Sequence, residues 1–179
     1  MRLKTKAAVF ASAAALLLGT GLATAPTAAA STSQGYVYGG GWGQYLWDDW
    51  NDEGVVDQNS HRISNATGLW QLVLWADGAI EQNGTRFDLS DVDCDFGPNT
   101  AYATASWQRA IGQGALDDDG SAGPLTWGYH GGYLNDDGNN RDITYAGYPN
   151  LLHLRRVNGI YQFQLNGVWH KASYTSATC

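Results

Sequence analysis

One eight-residue frame occurs twice in this chain, 26 positions apart, and it constrains the fold more than any other feature. The frame is Asp-x-x-x-Gly-Pro-x-Thr, and its two copies run from Asp93 to Thr100 and from Asp119 to Thr126. Glycine adopts positive φ angles without strain, and proline fits the first position of a helix because its missing N–H has no partner there in any case. Each copy is therefore predicted to end a tight turn and to start a helix.

The apolar pattern also predicts helices on either side of the first copy. Before it, Leu69, Leu72 and Val73 recur at helical spacing until Gly78, which ends the helix. The candidate capping residues of this helix are Ser64, Asn65 and Thr67. After the first copy, an apolar stripe is predicted to supply the helical core, and it consists of Ala103, Trp107, Ala110 and Ile111. With the helix after the second copy, the sequence predicts three helices.

The periodicity of the chain changes in its last third. Three apolar segments, Leu151–Val157, Ile160–Leu165 and 168–174, are separated by Asn158-Gly159 and Asn166-Gly167. Asn-Gly favours a two-residue hairpin because a type I′ turn needs two residues at positive φ. The pattern predicts a three-stranded antiparallel meander. Such a meander is marginal alone, so we expect it to pack on the helices or to pair with residues 36–38.

The middle strand and the order of the elements define the predicted architecture. Tyr161, Phe163 and Leu165 alternate with other residues and are predicted to face the core. The predicted class is α+β, with a small three-helix module and the appended meander. The expected organisation is a signal peptide (1–30), a Gly- and aromatic-rich segment (31–62), a helical module (63–132) and a β-meander lobe (133–179).

The first thirty residues have the pattern of a secretory signal peptide. Arg2, Lys4 and Lys6 precede an apolar stretch over residues 7–18, and alanines 28–30 offer a small-residue cleavage site. An uncleaved membrane anchor is the disfavoured alternative, because the apolar stretch is shorter than the roughly 20 residues that cross a bilayer. We therefore expect a secreted protein that is extracellular or associated with the cell wall.

The charge of the chain argues against several classes of partner. The sequence has 10 basic and 17 acidic residues, a net charge of −7. Removal of residues 1–30 takes three of the basic residues and leaves 7 minus 17, or −10. We expect no nucleic-acid partner, because phosphate contacts dominate such affinity, and no anionic membrane partner, because like charges repel. We expect a monomer that recognises its ligand by shape, stacking and hydrogen bonds.

The sequence contains two cysteines, Cys94 in the first copy of the frame and Cys179 at the last position. An even number of cysteines in an exported protein indicates a disulfide. Two free thiols or an intermolecular bridge are the alternatives. A Cys94–Cys179 bridge would tie the end of the sequence to the helical module.

Four short motifs occur in the order and at the spacing of a known family. They are Trp70-Gln71, the first copy with Val92 before it, Trp107-Gln108, and the second copy with Trp127 after it. Together they resemble the peptidoglycan-binding domain of the three-helix type, over residues 63–132. The chain departs from the family at Cys94, where glycine is usual, and in a longer connection at 79–91. The resemblance implies a non-catalytic module that holds exported bacterial proteins against peptidoglycan.

The resemblance places a ligand surface near the two turns, for the glycan or the peptide stem of peptidoglycan. The predicted ligand-binding residues are Asp95, Asn99, Tyr102 and Tyr129. The other motif residues are interpreted as structural. Asp93 and Asp119 are predicted to accept hydrogen bonds from local N–H groups. The residues predicted to serve backbone geometry are Gly97, Pro98, Gly123 and Pro124. Those predicted to pack in the core are Phe96, Trp107 and Trp127.

Three alternating aspartates suggest a calcium loop, but its pattern is incomplete. Asp91, Asp93 and Asp95 alternate as in an EF-hand, but the positions that require glycine and glutamate hold Phe96 and Tyr102. We therefore expect no metal and no cofactor.

Catalytic patterns are equally weak. The four histidines are scattered, although His153 and His170 lie on predicted strands, and an approach of these strands would pair them as zinc ligands. We interpret them instead as ordinary, partly exposed histidines. A glycosidase needs two positioned carboxylates, and among the many aspartates no pair stands out.

Three functions are consistent with these features. The leading hypothesis is a secreted, non-catalytic peptidoglycan-binding protein. The second is a wall-active hydrolase with its site in residues 133–174 or at their seam with the helices. The third is an extracellular interaction protein or inhibitor that uses the module as a scaffold. The aromatic residues of segment 36–50 are interpreted as packing residues in preference to a saccharide platform.

Overall fold

Helices and an antiparallel sheet form the described part of the protein, and the predicted α+β class is confirmed. The structure is a computed structural model that describes residues 34–40, 46–111 and 118–179. The predicted signal peptide (1–30) and residues 41–45 of the aromatic segment lie outside the described residues.

The three described helices are α1 (Asn65–Ala76), α2 (Pro98–Ala110) and α3 (Pro124–Gly131), with a short 3-10 turn at Leu89–Asp91. The strands that follow are β1 (Leu134–Asp136), β2 (Asp142–Ala146), β3 (Leu151–Val157), β4 (Ile160–Leu165) and β5 (Val168–Lys171). They pair antiparallel in chain order, as a meander. No helix in the described ranges is long and apolar enough to cross a membrane.

α1 is the central element, because it is buried on nearly every side. It begins after Ser64, whose side chain accepts a hydrogen bond from the Thr67 N–H at 3.0 Å. Within the helix, Trp75 alone is partly exposed. A helix with apolar residues all round is stable only inside a protein, so α1 needs a layer on both flanks. α2 covers it on one side and β3 contacts it on the other.

The first Gly-Pro turn is held by a glutamine of the helix before it. The Gln71 Nε2 donates to Asp93 Oδ1 at 2.8 Å and lies 3.2 Å from Thr100 Oγ1. Its Oε1 accepts the N–H of Asp93 at 3.1 Å and of Cys94 at 2.9 Å. Asp93 Oδ1 also accepts the Asp95 N–H at 2.9 Å, as predicted. One buried amide thus binds both ends of the turn.

The second turn repeats this arrangement with Gln108 at the end of α2. Its Nε2 donates to the Ser121 carbonyl at 3.0 Å and to Thr126 Oγ1 at 3.2 Å. Its Oε1 accepts the Gly120 N–H at 3.0 Å. Asp119 Oδ1 accepts the Ser121 N–H at 2.8 Å, again as predicted. The structural repeat is therefore a helix with its Trp-Gln pair plus the following turn.

The chain reverses at the second residue of each copy, and the expectation that the glycine before proline would supply a positive φ is wrong. Cys94 has φ 63° and Gly120 has φ 74°. Gly97 and Gly123 have φ −79° and −100°, which any residue adopts, and they serve as helix N-caps. In each copy, the reversal occurs at the residue whose N–H donates to the Oε1 atom of the glutamine in the preceding helix. Prolines 98 and 124 open their helices as predicted.

In the described ranges the sheet has five strands instead of the predicted three. β1 and β2 were missed; β2 pairs with β3, for example Thr144 with His153, and β1 pairs with β2 through Asn135 and Thr144. β1 has three residues and β2 has five, and both contain Asn, Asp or Thr. Alternation over so few residues does not predict a strand, and pairing with a strong neighbour supplies the missing stability.

Both Asn-Gly pairs form the predicted turns. Asn158 and Gly159 have φ 52° and 80°, and Asn166 and Gly167 have φ 50° and 80°. Two successive positive φ angles are the signature of a type I′ hairpin. These turns set the register of β3, β4 and β5.

The last strand ends earlier than predicted because the N-terminal segment continues the pairing. β5 ends at Lys171. Beyond it, the Val37 N–H donates to the Ala172 carbonyl at 2.8 Å and the Tyr174 N–H donates to the Gly35 carbonyl at 3.0 Å. The pairing of residues 36–38 with the meander, one of the two expected arrangements, is confirmed.

The apolar stripes are confirmed with two exceptions. In β4, Tyr161 and Phe163 are buried, whereas Leu165 is only partly buried. In α2, Ala103 and Trp107 are buried and Ile111 packs partly against the core, but Ala110 is exposed. The prediction for Ala110 is wrong because the helix buries polar residues instead, namely Thr100, Thr104 and Gln108.

Cys94 and Cys179 form the predicted disulfide, across a sequence separation of 85. The bridge lies against α1 at Gly68, where an added Cβ would collide with both sulfur atoms. Nearby, Asn65 Oδ1 accepts the Thr178 N–H at 2.8 Å. The first turn, the start of α1 and residues 178–179 are thus joined.

Trp50 joins the helices to the sheet in one hydrophobic core. Its ring centroid lies 5.3 Å from that of Trp127 on α3, 6.1 Å from Tyr145 on β2 and 5.4 Å from Tyr161 on β4. Trp50 is fully buried, whereas Trp47 of the same segment is 60 % exposed. The predicted core residues Phe96, Trp107 and Trp127 are all buried.

Candidate functional site: an aromatic cleft at the seam of helices and sheet

A cleft of about 200 Å³ opens where the ends of the three helices meet the edge of the sheet, and we call it the seam cleft. Every layer of the fold contributes to it, because α1 and α2 end here and β2 leads into the loop at residue 147. Its lining residues are Asp77, Trp107, Ile111, Tyr129, Tyr133, Ala146 and Tyr148.

Three tyrosines and a tryptophan give the seam cleft its aromatic surface. Tyr129 and Tyr133 are four residues apart, and their hydroxyl oxygens are 3.1 Å apart. The hydrogen bond with Tyr133, followed by burial, raises the pKa of Tyr129 to about 12, so Tyr129 acts as a neutral phenol. Trp107 packs behind Tyr129, with ring centroids 5.3 Å apart. Tyr148 is 84 % exposed, an unusual position for so large an apolar ring.

Asp77 supplies the carboxylate of the seam cleft. It caps the end of α1, and its Oδ2 accepts a hydrogen bond from the Tyr145 hydroxyl at 2.9 Å. Burial raises the pKa of Asp77 to about 6, while hydrogen bonds from Tyr145 and Trp107 oppose that rise. Near neutral pH most of the group is ionised and accepts hydrogen bonds, and below pH 6 most of it becomes a donor.

Tyr145 connects Asp77 to a buried histidine. Its hydroxyl lies 2.5 Å from His130 Nδ1, and that nitrogen lies 3.4 Å from Asp77 Oδ2. Burial lowers the pKa of His130 to about 3, so the ring is neutral and its contact with Asp77 is not an ion pair. Within the described residues, His130 Nε2 is buried without a hydrogen-bond partner. The three side chains form a hydrogen-bonded chain that ends in the cleft.

The four predicted ligand residues do not form one surface with the cleft. Tyr129 lines it, whereas Asp95, Asn99 and Tyr102 are not among its lining residues. Those three belong to the first turn and to the start of α2.

Two of these three residues already have side-chain partners. Asp95 Oδ1 accepts a hydrogen bond from Arg62 Nε at 2.6 Å, and Asn99 Nδ2 donates to Glu81 Oε1 at 2.5 Å. Tyr102 is 40 % exposed and lies under the guanidinium of Arg109. A ligand at Asp95 or Asn99 would therefore compete with a protein contact. The ring of Tyr148, which is 84 % exposed, is open to a ligand without such competition.

No family model, curated protein or solved structure matches this chain. The resemblance to peptidoglycan-binding domains therefore depends on the motifs themselves. The described helices follow in the order that those motifs imply, and the Gln of each Trp-Gln pair binds the turn that follows it. The family assignment stays a hypothesis, and the seam cleft is a candidate site on its own geometry.

Metal ligation finds no support in the described ranges, where no cluster of three His, Cys, Asp or Glu side chains could hold an ion. His153 and His170 do not approach one another. His153 is exposed and bonds Thr144, while His170 is buried and stacks on Phe163 with centroids 5.4 Å apart. Side chains of a strand alternate between the two faces of the sheet. His153 is at an exposed position of β3 and His170 is at a buried position of β5, so the two side chains lie on opposite faces.

Four residues of the cleft were not identified from the sequence, namely Asp77, Tyr133, Ala146 and Tyr148. One signal was available, because Tyr133 follows Tyr129 by four residues, the spacing of side chains that meet on a helix face. Asp77 carries no motif and looks like an ordinary helix end. Tyr148 reaches the cleft only because β2, itself missed, carries the chain back to α1.

Proposed function

We propose that this protein is a secreted, non-catalytic peptidoglycan-binding protein and that the seam cleft binds the wall polymer. The observation that carries the proposal is the composition of the cleft: exposed tyrosine rings beside one carboxylate that accepts hydrogen bonds. Rigid aromatic rings contribute large contact areas at little entropic cost, and they stack on the apolar faces of sugar rings. A carboxylate and phenol hydroxyls bond sugar hydroxyl and acetamido groups.

Two further features support the proposal. The motif order resembles that of peptidoglycan-binding domains, and the disulfide is of the kind that persists in oxidising compartments outside the cytoplasm. The net charge of −7, which becomes −10 without residues 1–30, disfavours anionic wall polymers and leaves a largely neutral glycan strand as the better match.

The test is a pull-down of the protein lacking residues 1–30 with insoluble peptidoglycan sacculi. We expect Tyr148→Ala to reduce binding by about tenfold, since a lost stacking contact of about 1.4 kcal/mol corresponds to that factor. Its matched control is Trp47→Ala, which removes another exposed aromatic ring outside the cleft.

Two results would overturn the proposal at different levels. If wild-type protein stays in the supernatant, the protein does not bind the wall, and an extracellular protein partner becomes the better hypothesis. If wild-type protein binds but Tyr102→Ala or Trp47→Ala reduces binding while Tyr148→Ala does not, the seam cleft is the wrong surface.

A wall-active hydrolase is the second candidate, and Asp77 is the observation that favours it. A carboxyl with a pKa of about 6 can exchange protons near neutral pH. Glycoside hydrolysis requires a second carboxylate across the scissile bond, and the described lining of the cleft contains no other. Release of soluble muropeptides by wild type but not by Asp77→Asn would favour the hydrolase; no release favours binding alone.

A further inference from the structure

The C-terminal ends of the three described helices converge on the seam cleft. Asp77 is the C-cap of α1, Ile111 is the C-cap of α2, and Tyr133 follows the last residue of α3 by two positions; all three line the cleft. A helix carries the equivalent of about half a negative charge at its C-terminus, because its last carbonyl groups lack partners within the helix. The backbone alone therefore gives the cleft a negative electrostatic potential.

The carboxylate of Asp77 adds a full negative charge at the same place. A carboxylate is unfavourable at a helix C-terminus, where cations are the stabilising groups. Its hydrogen-bond donors are the Tyr145 hydroxyl, the Trp107 side chain and the backbone N–H of Tyr148, and all three are neutral. Neutral donors bond the carboxylate oxygens, but they do not neutralise the charge.

Among the described residues, no protein cation lies in the cleft to compensate this charge. The lining contains neither lysine nor arginine. His130 lies 3.4 Å from Asp77, but its ring is neutral because burial lowers its pKa to about 3. The basic residue in the last turn of α2, Arg109, does not line the cleft and pairs with Asp118 at 3.4 Å. A positively charged ligand would therefore meet no competing protein cation.

Aromatic rings line the cleft beside this carboxylate. They belong to Trp107, Tyr129, Tyr133 and Tyr148, and the ring centroid of Tyr129 lies 5.3 Å from that of Trp107 and 5.6 Å from that of Tyr133. The face of an aromatic ring is partially negative and attracts a cation within about 6 Å of its centroid. The cation–π contacts among the described residues involve other rings, so those of the cleft are free for a ligand.

We propose that the seam cleft binds an alkylammonium group of its ligand, against the tyrosine rings and beside the Asp77 carboxylate. Its volume of about 200 Å³ is below the roughly 300–1,000 Å³ of sites that enclose a whole small molecule, so it suits one functional group of a larger ligand. A net charge of 7 minus 17, or −10, without residues 1–30 attracts cations to the protein.

Two kinds of ligand share this chemistry, namely the primary amine of a peptide side chain and a quaternary amine such as choline. Aromatic rings accept both, and a primary amine also donates hydrogen bonds to a carboxylate. The inference rests on the proposed wall function for its biological setting, in which the peptide stem supplies the amine. Its chemistry depends on the cleft alone, so the two can be tested separately.

Titration of the protein lacking residues 1–30 with small cations, followed by the NMR shift of the Trp107 indole N–H, tests the inference. The first pair of probes is choline and its uncharged analogue, in which a tert-butyl group replaces the trimethylammonium group. The second pair is lysine blocked at both backbone ends and the same compound acetylated on its side-chain nitrogen. We expect a cation to bind about tenfold more tightly than its neutral counterpart. The pair with the larger preference distinguishes a quaternary from a primary amine.

Substitutions with matched controls test the charge and the rings separately. Asp77→Asn removes the charge and keeps an acceptor for Tyr145, and it should abolish the preference for the cation over its neutral counterpart. Its control is Asp48→Asn, which makes the same change in net charge at an exposed position outside the cleft. Tyr133→Leu should weaken cation binding by about threefold to tenfold, whereas Trp47→Leu, which also removes a ring but outside the cleft, should not.

The pH dependence of binding has a defined sign. A cation favours the ionised form of Asp77, whose pKa is raised by burial to about 6, so affinity should fall about tenfold from pH 7 to pH 5. The neighbouring groups do not change charge in this interval: burial lowers the pKa of His130 to about 3 and raises that of Tyr145, and the hydrogen bond with Tyr133 raises that of Tyr129 to about 12. Asp77→Asn should not show this fall.

The inference is wrong if wild type binds each cation no better than its neutral counterpart, or binds neither, and these results require no variant to fold. It is also wrong if Asp77→Asn keeps the full preference for the cation. Failure of sacculus binding together with a positive cation titration would refute the proposed wall function and leave the ammonium site in place. A negative titration together with sacculus binding that is lost in Tyr148→Ala would do the reverse.

Discussion

At the scale of single residues, Asp77 has the most unusual environment in the seam cleft. Its carboxylate ends α1 yet lies among Trp107, Tyr133 and Tyr145, where water cannot fully solvate the charge. Burial therefore favours the protonated form and raises its pKa to about 6. The neutral His130 beside it offers no compensating positive charge. A ligand that donates hydrogen bonds would supply the stabilisation that the ionised form lacks.

The shifted pKa of Asp77 makes stability depend on pH with a defined sign. The group binds its proton more tightly in the folded state, with a pKa of about 6 against an ordinary 3.8, so its stabilising contribution is lost as pH rises through this interval. Asp77→Asn keeps an acceptor for Tyr145 and does not titrate. Between pH 4 and 7, urea unfolding should show wild type losing about 2–3 kcal/mol relative to this variant. A difference that is constant over this range would contradict the assignment.

At the scale of elements, the repeated unit is a helix that carries a glutamine together with the turn that this glutamine binds. Gln71 and Gln108 occupy equivalent places, and each satisfies a buried backbone N–H and a side chain or carbonyl of its turn. The turn is consequently fixed to the helix before it, while its proline starts the next helix. This linkage constrains the orientation of each following helix relative to the helix that carries the glutamine.

The glutamine arrangement predicts a large effect from one substitution. Gln71→Ala leaves the buried N–H of Cys94 without an acceptor, at a cost of about 1–3 kcal/mol, and also removes the acceptor of the partly buried Asp93 N–H. We expect a loss of about 2–4 kcal/mol in the free energy of unfolding, measured with urea. Gln82→Ala, at an exposed position, is the control and should change stability by less than about 0.5 kcal/mol.

Cys94 combines a disulfide with a left-handed backbone, and the two effects can be separated. Two variants that both lack the bridge, Cys94→Ala/Cys179→Ala and Cys94→Gly/Cys179→Ala, differ only at residue 94. At φ 63° glycine is unstrained and alanine costs about 1–2 kcal/mol. The glycine variant should therefore be the more stable of the two in thermal unfolding. Equal stability, or a more stable alanine variant, would show that backbone strain at this turn is unimportant.

At the scale of the whole molecule, helices and sheet share one core. The rings of Trp50 contact α3, β2 and β4, and the N-terminal segment pairs with Ile160 of β4 and with Ser173, just after β5. A continuous core of this kind favours a single cooperative unfolding transition. The helical module and the meander are therefore expected to unfold together, with coincident changes in far-UV circular dichroism and tryptophan fluorescence.

Two tryptophans of one segment test the shared core. Trp50→Ala should cost about 3–5 kcal/mol, because it removes a fully buried ring from the junction. Trp47→Ala removes a ring that is 60 % exposed and should cost less than about 0.5 kcal/mol. Similar losses from both substitutions would contradict the central place of Trp50.

Local sequence patterns predicted the helices, the turns and the last three strands. The strands and cleft residues that were not predicted depend on long-range pairing. Pro98, Pro124 and the two Asn-Gly pairs act within a few residues, so their helices and turns were predictable. β1 and β2 depend on pairing with β3, which no local pattern reveals. Asp77 and Tyr148 meet in the seam cleft through that same pairing. Tyr129 alone was predicted as a ligand residue of the cleft, from its motif.

The two glutamines also affect how slowly the amide protons of the two turns exchange with solvent deuterium. Amide protons in surface turns usually exchange fast, because small local openings expose them. The amides of Cys94 and Gly120 instead donate to oxygen atoms of side chains that are 0 % and 3 % exposed. Breaking either bond requires the helix that carries the glutamine to move. These two turn protons should therefore persist as long as those of the helices, so that each turn opens together with the helix that holds it.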